Sequence, residues 1–179
     1  MKNIDLTNVE EAQEFKALPA GGYICRLNVV QDVPEKEYLK IEFDIDEGEF
    51  KGHYQKLFAS RGFWAGRMFR SYKETALPFF KSFTTALEKS NPGYQWDSDE
   101  SNLVDKVIGI VLAEEEYIGN DGTVKTKLVA DRVHSIEAIK KGDYKIPPKK
   151  LLAGSPSLAQ DSDPAGFNAF STNATDEVF

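Results

Sequence analysis

Cysteine is nearly absent: Cys25 is the single thiol among 179 residues, which excludes an intrachain disulfide framework. With only His53 and His134 beside it, no Cys/His zinc cluster can be assembled either. Long apolar runs are missing as well. No stretch approaches the roughly 18 consecutive apolar residues that mark a membrane-spanning helix. The opening MKNIDLTNVEEAQEF is acidic and lacks the apolar centre of a secretory signal, so a reducing cytoplasm is the expected setting. The phosphate-cradling patterns G-x-x-x-x-G-K-[ST] and G-x-G-x-x-G opening a helix are absent. Basic residues are absent from 151–179, whose charges are Asp161, Asp163, Asp176 and Glu177 alone.

What is present is 41% hydrophobic, enough for one core rather than two. The net charge of −7 argues against nucleic acid only until it is divided along the chain. The acids concentrate at the two ends. Residues 51–90 instead hold eight basic side chains against only Glu74 and Glu88.

The segment GGYICRLNVVQDV (21–33) is rich in β-branched residues and follows a Pro-Ala-Gly-Gly turn, and it reads as a strand. In EYLKIEFDIDEGEFKG (37–52), Leu39, Ile41, Phe43 and Ile45 alternate with Tyr38, Lys40, Glu42 and Asp44, the period of a half-buried strand. A third strand is expected at about 53–59. From 66 to 93 the apolar spacing turns helical, through Met68, Phe69, Tyr72 and Ala76, then Phe79, Phe80, Phe83 and Leu87. Pro78 divides this stretch into two helical pieces, and Asn91-Pro92-Gly93 ends it. Two strands, 105–118 and 123–136, flank the Asn120-Asp121-Gly122 turn. The Ser/Ala/Asp/Asn-rich end has the composition of a disordered tail.

Three strands, a helical insertion and a hairpin predict a mainly β protein with the element order β-β-β-α-β-β. This is the order of an OB-fold, a five-stranded Greek-key barrel; an unrelated α+β sandwich could share it. The expected organisation is an N-terminal extension at 1–20, the domain at 21–150 and a disordered acidic tail at 151–179.

No constellation for catalysis stands out. Cys25 lies mid-strand and reads as a small buried side chain, and the two histidines fall on different expected strands. The carboxylates at Asp44-Asp46-Glu47-Glu49 and Glu114–Glu116 could hold a divalent ion, but acidic runs at strand ends are usually solvated faces. The expectation is therefore no enzyme, no cofactor and no metal. The basic segment is more informative, because it interleaves cations with rings. Cations neutralise phosphates and release counterions. Aromatic faces stack bases for about 1–3 kcal/mol each, whatever the base. The helical stripe, Phe69 included, is assigned to the core. The groove candidates are then Tyr54, Lys56, Phe58, Arg61, Phe63, Trp64 and Arg67, joined by Tyr38 and Lys40 on the second strand and by Lys125 and Lys127 on the last. Glu42 and Asp44 share the outward face of the second strand and would repel phosphate.

The phrases NVEEAQEFKALPAGGY, YLKIEFDIDEGEFKGHY, LEKSNPG and DKVIGIVLAEEEY…DGTVKTKLVADRV, with the acidic tail, resemble a family of small proteins from bacteriophage replication modules. The resemblance covers most of the chain, and Glu-Gly-Glu-Phe-Lys-Gly is its most specific part. It implies an OB-fold, sequence-tolerant binding of single-stranded DNA in phage replication or recombination, and a location in the host bacterial cytoplasm. It also implies that the tip Asp176, Glu177, Val178 and Phe179 recruits replication partners, although this tip has only two acids and no penultimate proline. Expected partners are single-stranded DNA, phage or host replication and recombination proteins, and further copies of the chain. The competing expectation is an OB-like protein-interaction module without significant DNA binding.

Overall fold

The structure, a computed structural model, describes Thr7 and residues 16–153. The tail tip and most of the N-terminal extension therefore lie outside the described residues. The strands β1 (Gly21–Val33), β2 (Tyr38–Ile45), β3 (Arg67–Ser71), β4 (Val107–Ile118) and β5 (Val124–His134) form one antiparallel sheet in the order β3-β2-β1-β4-β5. The α-helices α1 (His53–Arg61), α2 (Leu77–Ser90) and α3 (Ile136–Lys141) accompany it among the described residues, with short 3-10 turns between elements. The sheet is open, with β3 and β5 as its free edges. Among the described residues no helix is long and apolar enough to cross a membrane.

The β1 strand holds the sheet together by changing partner along its length. Its first half pairs with β4 from Gly21 to Arg26, and β2 pairs with it from Cys25 to Val33. A bulge between Leu27 and Val29 shifts the alternation by one residue. Cys25 and Leu27 face the core before it, and Val30 packs against the core after it. The bulge turns Val29 outward, beside Glu42 of β2. On β2 the expected alternation holds: Leu39, Ile41 and Phe43 are buried while Tyr38, Lys40 and Glu42 face out.

The third expected strand is a helix, α1. Its apolar residues Tyr54 and Leu57 are three apart and face the core, and Gly62 ends it in the left-handed conformation with its N–H on the Phe58 carbonyl. Its N-terminus has no cap from its own segment. The Asp44 carboxylate on β2 supplies one, accepting the N–H groups of Tyr54 at 2.8 Å and Gln55 at 3.0 Å. Asp44 is accordingly buried, not on the outward face, because its charge is spent on the helix end.

The first expected helical piece is also corrected. Arg67–Ser71 is an edge strand paired to β2, with Met68 opposite Ile41 in the core and Phe69 turned out. Helical spacing through Met68, Phe69, Tyr72 and Ala76 was coincidental; pairing with β2 decides the conformation. The second piece forms as expected: α2 carries Pro78 in its first turn and buries Phe83, Ala86 and Leu87. Phe79, assigned to the core from the stripe, is exposed. Asn91 closes α2 and ties it to β4, donating to the carbonyls of Leu87 and Val107 at 2.8 Å each and accepting from the Val107 N–H at 3.0 Å.

On β4, Ile108 to Ala113 are all buried, which explains the unbroken apolar run. Ile108, Ile110 and Leu112 face the core. The opposite side is sealed by α3 and the chain after it. A Cβ on Gly109 would collide with Ile139, and one on Gly22 with the Tyr144 ring, so both positions require glycine for close approach.

Candidate nucleic-acid interface

Among the described residues, the outward face left uncovered lies on β2 and β3. Register sets its side chains in pairs: Tyr38 opposite Ser71, Lys40 opposite Phe69, and Glu42 opposite Arg67. Phe69 is 52% exposed, so more than half of its surface meets solvent on a strand whose next residue inward is core. Tyr38 meets it edge to face, with ring centroids 5.2 Å apart. That contact braces Phe69 while leaving more than half of its surface open to solvent. Lys40 forms no ion pair among the described residues, whereas Arg67 Nη2 donates to Glu42 Oε1 at 3.1 Å. Glu42 is therefore neutralised in place instead of standing as a bare charge against phosphate.

A second group sits on the β4–β5 hairpin. Gly119–Thr123 closes it, with Gly122 in the left-handed conformation and Asp121 accepting from the Thr123 N–H and hydroxyl at 3.1 and 2.7 Å. Lys125 lies opposite Tyr117 and Lys127 opposite Glu115, on the same side of the hairpin. Lys127 Nζ stands 5.6 Å from the centre of the Tyr117 ring. Lys125 Nζ pairs with Asp121 at 2.8 Å. That bond, with those from Thr123, holds the Asp121 carboxyl down to about 2.

The third group is α1 and the loop leaving it. Lys56, Phe58, Arg61 and Phe63 are exposed there, and Phe63 reaches 55%. Two candidates leave the surface. Tyr54 is buried, 5.4 Å edge to face from Phe43 in the core. Trp64 is half-buried against the core, tilted on Phe58 at 6.0 Å, and its Nε1–H donates to the Gly66 carbonyl at 2.9 Å. The indole is a plug under the loop, and Phe63 beside it is the ring that solvent reaches.

The structure thus brings Tyr38, Lys40 and Arg67 together on one face, Lys125 and Lys127 on a hairpin, and Lys56, Phe58, Arg61 and Phe63 on the α1 exit. Sequence reasoning missed Phe69 and Tyr117. The signal for Phe69 was the alternation Arg67-Met68-Phe69, hidden by a helical stripe. The signal for Tyr117 was its register opposite Lys125 across the Asn-Asp-Gly turn.

The acidic runs have structural employment. Arg26 clasps Asp46 through Nε and Nη2 at 3.1 and 2.8 Å. Glu115 and Glu116 pair with Lys150 and Lys149 at 3.5 and 3.2 Å, where the chain at Lys150 lies parallel along β4. Among the described residues no group of three or more His, Cys, Asp or Glu side chains could hold a metal ion. Neither a protein-family model nor a curated protein sequence matches the chain.

Proposed function

We propose that this chain is a sequence-tolerant single-stranded DNA-binding protein without catalytic activity, built on an OB-type sheet and acting in phage DNA replication or recombination. The observation that carries the reading is Phe69: an exposed ring on the outward face of an edge strand, braced by Tyr38 and flanked by Lys40 and Arg67. A ring held at that angle presents a flat surface to a base, and the cations on either side serve the adjoining phosphates. The strand order supports the fold half of the reading. An OB-fold is a partly open Greek-key barrel that binds oligonucleotides on the face of its second and third strands and on the loops joining strands one to two and four to five. The order β3-β2-β1-β4-β5, with β3 and β5 at the edges of an open sheet, is the order such a barrel would have if opened between its third and fifth strands, which supports the OB reading. The tip Asp176–Phe179 remains a proposed contact for replication proteins.

The deciding experiment is a salt-titrated anisotropy comparison of single-stranded DNA, duplex DNA and single-stranded RNA oligomers. Tight binding of an oligo-dT that weakens steeply with salt, with duplex bound less well, is expected. Binding absent even at low salt would leave the alternative, a protein-interaction module. Leu77 and Phe79, exposed together at the start of α2, are where such a module would be engaged.

A further inference from the structure

The seam between β3 and β5 contains a cation that the sheet does not satisfy. Arg70 lies opposite Leu39 and so projects to the core side of β3. Its guanidinium stands 6.0 Å from the ring of the fully buried Phe83. Nε and Nη2 are buried with no hydrogen-bond partner. Nη1 alone has one, the Phe69 carbonyl at 3.5 Å. Burial pulls its pKa down to about 10, and Asp131 is the acid that opposes the shift. A buried donor pair left unmade is costly, and a native structure that keeps one calls for a reason.

Asp131 belongs to the facing edge. On β5 it falls in the register shift where Ala130 pairs with Leu112 and Arg132 with Val111, so it is the extra residue of a bulge. Bulges re-aim side chains. Among the described residues its carboxylate forms an ion pair with its neighbour, Arg132 Nε, at 3.3 Å. The two edges approach within 8 Å, Cα to Cα, without pairing. A strand inserted between them would need about 9.5 Å, twice the inter-strand spacing. Where the edges come that close, the seam has no room for an inserted strand. The free Nε–Nη2 edge of Arg70 is the side-on fork that receives a carboxylate at two points.

We propose that Arg70 and Asp131 are the two halves of a latch that closes the β3–β5 seam, and that a single strand lying across both edges engages it. The second clause rests on the DNA-binding reading. Its physical basis is that candidate contacts lie on both edge strands, Arg67 and Phe69 on β3 and Lys125 and Lys127 on β5. One polyanion touching both strands draws them together and brings the carboxylate within reach of the fork.

Hydrogen exchange of the full chain, with and without saturating oligo-dT, tests this. In the wild type, amides of residues 67–71 and 128–133 slow by roughly tenfold or more on binding, as expected when frayed edges become paired. In Arg70→Met and in Asp131→Asn the oligomer still binds but the slowing is lost. Arg70→Met, which removes an unpaired buried charge, melts no lower than wild type when free. Slowing retained in both variants, or no slowing in a wild type that does bind, overturns the latch. If no oligomer binds, the DNA reading fails by itself, and the latch is judged on the charge swap in the free protein. A swap of Arg70→Asp with Asp131→Arg that melts above both single variants supports it; additive effects overturn it.

Discussion

Asp44 Oδ1 lies 2.8 Å from the backbone nitrogen of Tyr54, and Asp44 Oδ2 lies 3.0 Å from that of Gln55, so a strand residue caps a helix ten positions away. The α1 helix has no side-chain cap of its own. Asp44→Ala should therefore lower stability by about 2 kcal/mol, the upper range for losing an N-cap. Urea unfolding measures this directly. The loss should be the same with and without chelator, since the carboxylate binds backbone and not metal; a variant as stable as wild type would refute the capping role.

Phe69 and Trp64 should part ways. Phe69→Ala removes an exposed platform, so it should weaken oligo-dT binding by about 1–3 kcal/mol while the melting temperature barely moves. Trp64→Ala removes a half-buried plug and its hydrogen bond to Gly66, so it should destabilise by about 2–3 kcal/mol while the folded fraction keeps most of its affinity. Anisotropy paired with thermal melts separates the two. The reverse pattern would return the stacking role to the indole.

The cations on the face should be visible in the salt dependence. Each phosphate contact to a single strand contributes about 0.7 to the slope of log affinity against log salt. Lys40→Ala and Lys127→Ala should each reduce the slope by about that much, and Lys81→Ala on α2 should leave it unchanged. Equal slopes in all three variants would show that the polyanion is held elsewhere.

Alkaline pH should loosen the fold. Burial, and then Asp44 and Asp46, push the Cys25 thiol well above its ordinary value. Burial raises Tyr54 as well, and takes Tyr23 up to about 12. Each pKa is higher folded than unfolded, so the fold keeps the neutral form. Stability is complete below the unfolded thiol's pKa of about 8.5 and falls as pH rises through the values held in the fold. Urea midpoints measured from pH 7 to 10.5 should be flat, then decline. Cys25→Ala should delay the decline to the range where unfolded tyrosines ionise, near pH 10. An onset that Cys25→Ala does not move would assign it to other groups.

How much of this was legible beforehand depends on where each signal resides. The alternation of Leu39, Ile41 and Phe43 is local, and it predicted both β2 and the outward direction of Tyr38 and Lys40. The apolar run at 107–113 and the Asn-Asp-Gly turn likewise fixed the hairpin. What escaped was set by partners distant in sequence. The stretch at 53–61 becomes a helix because Asp44 caps it from another strand, and no neighbour of His53 announces that. Arg67–Ser71 becomes a strand because β2 offers it an edge. Both corrections moved site residues: Tyr54 went into the core, Trp64 under a loop, and Phe69 out to solvent.

The two glycines pressed against Ile139 and Tyr144 carry a consequence for traffic on this surface. They let a helix and a tyrosine ride directly on the backbone of β1 and β4, so one half of the sheet's outer side is roofed over. A polymer laid down at Tyr38 and Phe69 has open ground toward the β4–β5 hairpin across the seam, and none over the middle of the sheet. On the DNA-binding reading that roof bounds the footprint as much as the rings do, and a bulkier residue at Gly22 or Gly109 would lift the boundary without touching Tyr38 or Phe69.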